Sequence, residues 1–218
     1  MALRPPPVGL VRARLRDRFG VPRRRRPAPP FDELVQTILS QNTTDLNSAR
    51  TFAALTARFP EWERMATARP AAIAAAIRAG GLADVKGRYL KDATREILTR
   101  RGNLDLSFLK RMTNDAALAW LQSLPGVGAK TARVVLLFAC GKDVFPVDTH
   151  VLRITKRLGY LSSRRGADAA HRFWDENCPP GAARELHINL IRHGREVCHA
   201  RRPLCDECPL ADVCPSRS

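Results

Sequence analysis

Four cysteines crowd into the last stretch of the chain. Cys198, Cys205, Cys208 and Cys214 have the spacing C-x6-C-x2-C-x5-C. Four thiolates in so short a segment can wrap one metal centre. Zinc is one candidate, but zinc modules usually offer two close C-x-x-C pairs, and only Cys205/Cys208 is such a pair here. The compact, asymmetric spacing points instead to a [4Fe–4S] cluster. Between the first two ligands, His199, Arg201 and Arg202 form a basic loop that a cluster would fix for phosphate contact. Cys140 and Cys178 stand outside the set, and Cys140 ends an apolar run that reads as core.

A second constellation lies upstream. Leu124-Pro125-Gly126-Val127-Gly128-Ala129-Lys130-Thr131-Ala132 falls between two expected helices. Gly126 and Gly128 allow a tight turn and a close backbone approach. The N–H groups that open the following helix, with its dipole, suit a phosphate. This is the sequence form of a helix–hairpin–helix, which grips a nucleic-acid backbone without reading its sequence. Lys130 is either a phosphate-contacting lysine or an amine nucleophile. The positive end of a helix disfavours its ammonium, and a gripped phosphate brings a sugar close by. Asp148, in Val147-Asp148-Thr149-His150-Val151, has the spacing of a helix N-cap. Its charge also suits a second role. Cleaving a base from deoxyribose builds positive charge on the sugar, which a nearby carboxylate stabilises. It could equally help deprotonate an attacking amine.

Helices must position these groups. Helical periodicity is frequent and strand signals are weak. Phe31, Leu34, Val35, Ile38 and Leu39 share one face after Pro29-Pro30. Further helices are expected over 46–59, 71–79 (stopped by Gly80-Gly81), 85–100, from a Thr113 or Asn114 cap through Ser123, and over 131–140, 149–158, 167–177 and 182–197. From Cys198 onward the chain reads as a loop-built metal module. Residues 1–30 hold seven prolines and the Arg23–Arg26 run, which suits either phosphate tracking or a solvated linker.

Lysine plus arginine exceed aspartate plus glutamate by 37 to 21, a formal charge of +16 on 218 residues. A compact chain with that self-repulsion calls for a polyanionic partner, and nucleic acid is the natural one. The longest apolar run, Val134–Cys140, is far short of the roughly 20 residues a membrane span requires. With no apolar stretch behind the N-terminal arginines, no secretory signal is evident, so a cytoplasmic, nucleoid-associated setting is expected, where cysteines serve metals more often than disulfides.

Together these residues resemble the endonuclease III family of DNA glycosylases, within the helix–hairpin–helix superfamily. The anchors are Leu39-Ser40-Gln41-Asn42-Thr43-Thr44-Asp45, the hairpin Leu124–Ala132, Val147–Val151, His193-Gly194-Arg195 and the four-cysteine string. The resemblance covers about Phe31 to Pro215. It implies an all-α fold: a six-helix domain at 31–141 carrying the hairpin 124–130, and a second domain made of helices and the cluster loop at 142–218, against which segment 1–30 packs. It implies a monomer that binds double-stranded DNA with a damaged base or abasic site and flips the base out of the stack. Lys130 then attacks C1′ to form a Schiff base, Asp148 is the essential carboxylate, and β-elimination nicks the strand. The cluster there is structural or DNA-positioning. Adenine-specific relatives lack an amine at this place, so a bifunctional glycosylase/lyase for oxidised pyrimidines is expected.

The resemblance also places DNA contacts at Gly126, Gly128, Gln41, Asn42, Leu82, His150, Arg201 and Arg202. Asn42 stands where the family often fills the gap left by the flipped base with a longer glutamine, and Gln41 lies one earlier. Leu82 matches a wedge residue. Gln122 matches a position that is often acidic. A mismatch (uracil/thymine) glycosylase on the same scaffold is therefore a second expectation. A non-catalytic cluster-bearing DNA-binding protein is a third, disfavoured by having both Lys130 and Asp148.

Overall fold

The computed structural model describes residues 4–23 and 26–217. Arg24 and Arg25 of the basic run lie outside the described residues. The fold is all-α, with no strand among the described residues. The helices are α1 (Val8–Phe19), α2 (Pro30–Leu39), α3 (Asp45–Arg58), α4 (Arg64–Thr67), α5 (Pro70–Ala76), α6 (Ala83–Arg101), α7 (Asn114–Gln122), α8 (Ala129–Phe138), α9 (Thr149–Arg157), α10 (Ala167–Asn177) and α11 (Ala183–Glu196). They form two compact units, one of residues 27–142 and one of residues 1–26 with 143–218.

In the unit of residues 27–142, local chemistry sets most helix ends. Pro30 opens α2, with Asp32 and Glu33 in the first turn where the helix dipole favours acid. Thr44 caps α3 by accepting from the Asn47 N–H at 3.3 Å, and Thr113 caps α7 through the Ala116 N–H at 3.3 Å. The stretch expected as one helix over 71–79 is shorter. α5 stops at Ala76, and the chain tightens into a 3-10 turn over Arg78–Gly80 before Gly81 turns left-handed at φ +69°. Gly87 on α6 lets α5 approach, since a Cβ there would lie 3.2 Å from the Ala74 nitrogen. The apolar faces of α2 and α8 meet over Leu34, Val35, Ile38, Ala132 and Val135, all at most 1% exposed.

The other unit contains the longer of the two helices that the periodicity reading passed over, the short α4 being the other. Segment 8–19 is not a linker: α1 packs against α11 with Val11 and Leu15 fully buried. Arg12 and Arg16 both pair with Glu185 of α11, at 3.0 and 2.6 Å. Arg14 makes a bidentate pair with Asp212 in the tail. Asn189 and Arg192 of α11 donate to the carbonyls of Gly20 and Phe19, which fastens the end of α1. The core of this unit centres on Trp174. Its ring stacks on Phe145 at 4.7 Å, and its indole N–H donates to Thr155 Oγ1 at 2.8 Å, so the one polar atom of a fully buried ring is satisfied.

Candidate active site and cluster loop

In the unit of residues 27–142 the hairpin joins α7 to α8 over 123–128. Val127 is its anchor, 5% exposed, and its N–H donates to the Leu124 carbonyl at 3.2 Å. Gly126 is required twice over: its φ is +76°, and a Cβ would lie 2.4 Å from Cγ of Tyr89. Gly128 is different. It takes ordinary extended backbone, φ −87° and ψ 177°, and nothing lies within 4 Å of where its Cβ would stand. No packing inside the unit asks for glycine there, whereas a ligand backbone coming close would. Gly128 is the N-cap of α8, no side chain caps that helix, and its first turn carries no acid. Lys130 is the second residue of the helix, at its positive end.

Gln41 braces this hairpin. Its amide Nε2 donates to the Gly126 carbonyl at 3.3 Å and to Thr131 Oγ1 at 3.4 Å. Its neighbour Asn42 is exposed, with left-handed backbone at φ 51°. Leu82 repeats that combination, 55% exposed at φ 52°. Gln122 donates from Nε2 back to the Leu118 carbonyl of its own helix. Sequence reasoning missed Glu33 on α2. Burial pushes its carboxyl up, and the Lys130 charge opposes that shift, so the two groups feel one another. Nothing local distinguishes Glu33 from any acid in a first helical turn.

In the other unit Asp148 caps α9, and its Oδ1 accepts from the Val151 N–H at 2.8 Å. Capping holds the carboxylate in one orientation between the buried Val147 and Val151. His150, two residues on, has Nδ1 3.1 Å from Nη2 of Arg153. Gly194 in the His193-Gly194-Arg195 string makes room for both, since a Cβ there would meet His150 at 2.8 Å.

Two arginines one turn apart on α9 then hold the cysteine loop. Arg153 donates to the carbonyl of Gly194, in the last turn of α11 where helix carbonyls lack an internal partner, and to that of Cys198 just beyond the helix. Arg157 donates to Cys198 Sγ at 3.1 Å and to the carbonyls of His199 and Ala200. Cys198, Cys205, Cys208 and Cys214 line one small cavity of about 30 Å³, walled by Ile154, Leu158 and Leu210. The sulfurs have donors facing them: Arg157 on Cys198, and the Leu210 N–H at 3.4 Å on Cys208. His193 Nε2 lies 3.8 Å from Cys208 Sγ, and burial pulls this imidazole down to about 4, keeping it neutral. Four convergent cysteines, apolar walls and N–H groups aimed at sulfur fit a thiolate-ligated cluster. Arg201 and Arg202 stand exposed on the loop, Arg202 with left-handed backbone at φ 54°.

An all-helical chain with a glycine hairpin opening a lysine-bearing helix is the architecture of a DNA-repair class. Residues 35–180 match the HhH-GPD superfamily of base excision DNA repair proteins, and the chain belongs to it. Residues 198–214 match the iron–sulfur binding domain of endonuclease III, which places the chain in the endonuclease III family and makes its cofactor a [4Fe–4S] cluster. The endonuclease III of Sulfolobus acidocaldarius is 35% identical over 186 residues, 84% of this chain and 81% of that one. A protein of Arabidopsis thaliana described as a DNA glycosylase is 34% identical over 83% of this chain, which spans only 64% of that relative's length. The thymine-DNA glycosylase of Aeropyrum pernix is 30% identical, with 87% of this chain and 84% of that one covered. Among solved structures, a trapped endonuclease III–DNA covalent intermediate superposes with a TM-score of 0.82 at 26% identity, covering 96% of this chain and 94% of that one.

Proposed function

We propose that this protein is a base-excision glycosylase with associated lyase activity, which removes oxidised pyrimidines from duplex DNA through Lys130. The observation that carries this reading is the placement of Lys130: second in a helix with no side-chain cap and no acid, two residues after Gly128, whose Cβ position is open space. The backbone N–H groups there would hold a phosphate, and the helix dipole favours the neutral amine.

The amine of Lys130 attacks C1′. The C1′–N bond breaks, its electron pair leaves with the base, and the base is protonated. Asp148, oriented by its cap, stabilises the positive charge that develops on the sugar or accepts the proton that the amine sheds. The sugar ring then opens: the nitrogen lone pair of the C1′–Lys130 bond expels O4′, the C1′–O4′ bond breaks, O4′ takes a proton from water, and the protonated Schiff base so formed acidifies C2′. Loss of that proton expels the 3′ phosphate, and water releases the lysine. Asn42 and Leu82 enter the duplex where the base has left, Gly126 and Gly128 hold backbone, and Gln41 braces the hairpin beside it. The cluster, held by Cys198, Cys205, Cys208 and Cys214, supplies no step. By fixing their loop it would set Arg201 and Arg202 for phosphate contact, and His150 on α9 is assigned to DNA contact as well. The chain acts as a monomer on chromosomal DNA. No described helix is long and apolar enough to cross a membrane.

A second reading, a thymine or uracil mismatch glycosylase, is favoured by the Aeropyrum relative and by the shorter Asn42 and uncharged Gln122. One experiment separates them. Duplexes with thymine glycol, dihydrouracil, uracil or mismatched thymine are incubated with borohydride, and covalent adducts are counted. The expected outcome is trapping on the oxidised pyrimidines, abolished in Lys130→Gln while DNA binding persists. Excision of mismatched thymine or uracil alone would select the second reading, and absence of any adduct on an abasic duplex would remove the lyase claim.

A further inference from the structure

Lys86 is the one lysine, arginine, aspartate or glutamate buried among the described residues, 1% exposed. It lies on the first turn of α6, where a lysine would ordinarily point to water. A buried ammonium persists only when it is fully hydrogen-bonded, and Lys86 shows what bonds it. Its Nζ donates to the Leu39 carbonyl at 2.8 Å and to the Gly80 carbonyl at 2.9 Å. Leu39 is the last residue of α2, so its carbonyl is one of those a helix leaves without an internal partner, at the negative end of the dipole. Gly80 ends the 3-10 turn and is itself pressed in place, since a Cβ would lie 2.8 Å from Thr51 Oγ1.

The chain takes an unusual course just beyond each of these carbonyls. Three residues after Leu39 comes Asn42, and two residues after Gly80 comes Leu82. They are two of the three non-glycine residues with positive φ among the described residues, and both side chains are exposed. Left-handed backbone at a leucine survives only where the surroundings over-determine it. Here one ammonium fastens the chain just ahead of both residues, though they are 40 positions apart in sequence. The Lys86 N–H adds a third tie, donating to the Leu82 carbonyl at 2.9 Å.

We propose that Lys86 is a positioning residue: it sets the Asn42 and Leu82 loops jointly, so that the two side chains meet the duplex in register. This rests on the reading of Asn42 and Leu82 as DNA-entering residues. A clasp shared between the two loops couples them. If the clasp opens, both leave their strained conformations together, and backbone gripping by the hairpin survives.

The test uses full-length, cluster-loaded protein and a duplex bearing a tetrahydrofuran abasic analogue with 2-aminopurine beside it. This probe needs no choice of lesion and undergoes no chemistry. Its fluorescence rises when side chains unstack the neighbouring base. Lys86→Met is expected to lower the rise at saturating protein at least about twofold, the scale of a lost coupling between touching groups. Lys86→Arg, which keeps the charge and donors, is expected to restore part of it. In an Asn42→Ala/Leu82→Ala background, Lys86→Met is expected to cost nothing further.

An unchanged signal in Asn42→Ala/Leu82→Ala would show that the underlying reading fails. Loss in that variant with none in Lys86→Met would overturn the clasp alone. An equal loss from Lys86→Met in both backgrounds would mean general fold support and would likewise overturn it. Circular dichroism and the visible cluster absorption establish that each variant is folded. If Lys86→Met does not fold, Lys86→Gln, which keeps a donor, is carried through the same two backgrounds with the same criteria.

Discussion

Asp148 shows how one carboxylate holds two jobs at once. Its Oδ1 closes the first turn of α9, a role any asparagine would fill about as well. Its proposed role at the sugar needs charge, which asparagine lacks. The two can be separated. Asp148→Asn is expected to hold stability within about 0.5 kcal/mol, while Asp148→Ala loses about 1 kcal/mol with the cap. Both are expected to slow excision by roughly 10²-fold or more, as removal of a transition-state stabiliser does. Thermal melts and single-turnover rates on a trapped substrate check this, and full activity in Asp148→Asn would reduce the residue to a cap. At this scale the sequence was informative where chemistry is local. Cap spacing, the lysine behind the glycines and the four cysteines are written within a few residues. Glu33 and Lys86 were opaque for the opposite reason. Their meaning comes from Lys130 nearly a hundred residues from Glu33 and from the Leu39 carbonyl far upstream of Lys86, and although Gly80 lies close to Lys86 in sequence, nothing local shows that the side chain turns inward to it.

Helices were legible wherever apolar residues recur at helical spacing behind a proline, threonine or aspartate. α2, α3, α7 and α9 begin where those residues stand. α1 was not. Between Val8 and Phe19 only Val11 and Leu15 are buried among five arginines and aspartates of mixed sign, so its pattern is that of a charged linker until α11 supplies Glu185. α8 begins two residues earlier than the expected 131 because Gly128, with no side chain to signal a cap, is the N-cap. The hairpin ahead of α8 offers a paired prediction. Gly126→Ala forces a Cβ into Tyr89 at a left-handed φ and is expected to destabilise by about 1–3 kcal/mol. Gly128→Ala meets nothing and has an ordinary φ, so stability should change by less than about 1 kcal/mol while affinity for a duplex falls. Urea melts beside a fluorescence-anisotropy titration read the two effects. Affinity left intact by Gly128→Ala would sink the backbone-grip assignment.

The chain as a whole is organised by a return: residues 1–26 belong with residues 143–218, and 27–142 stand as a unit of their own. Glu185 is central to that return, since Arg12 and Arg16 converge on it from the first helix. The Arg16 hydrogen bond, with help from Arg12 and against the effect of burial, holds its carboxyl at about 2, where an ordinary glutamate sits at 4.5. Because the folded value is lowered, this stabilisation is present above the ordinary value and fades as pH falls from about 4.5 toward 2. Glu185→Gln is expected to lose about 1–2 kcal/mol at neutral pH, a modest figure because Arg16 is partly exposed and screened. The gap from wild type should close across that acid range in denaturant melts. A gap that is constant with pH would mean that the pairs contribute nothing.

The same return dictates an order of events during synthesis. Residues 27–142 are a compact unit that can fold once it has left the ribosome, since domains generally fold as units and the earlier ones first. α1, made before any of them, has none of its α11 partners yet. Its buried Val11 and Leu15 must wait for α11, and its arginines stay solvated until Glu185 and Asp212 emerge. The four cysteines follow α1–α11 in the chain, so iron can be loaded only after residues 27–142 have been made. α1, translated ahead of α2–α11, is thus among the last of these helices to find its place.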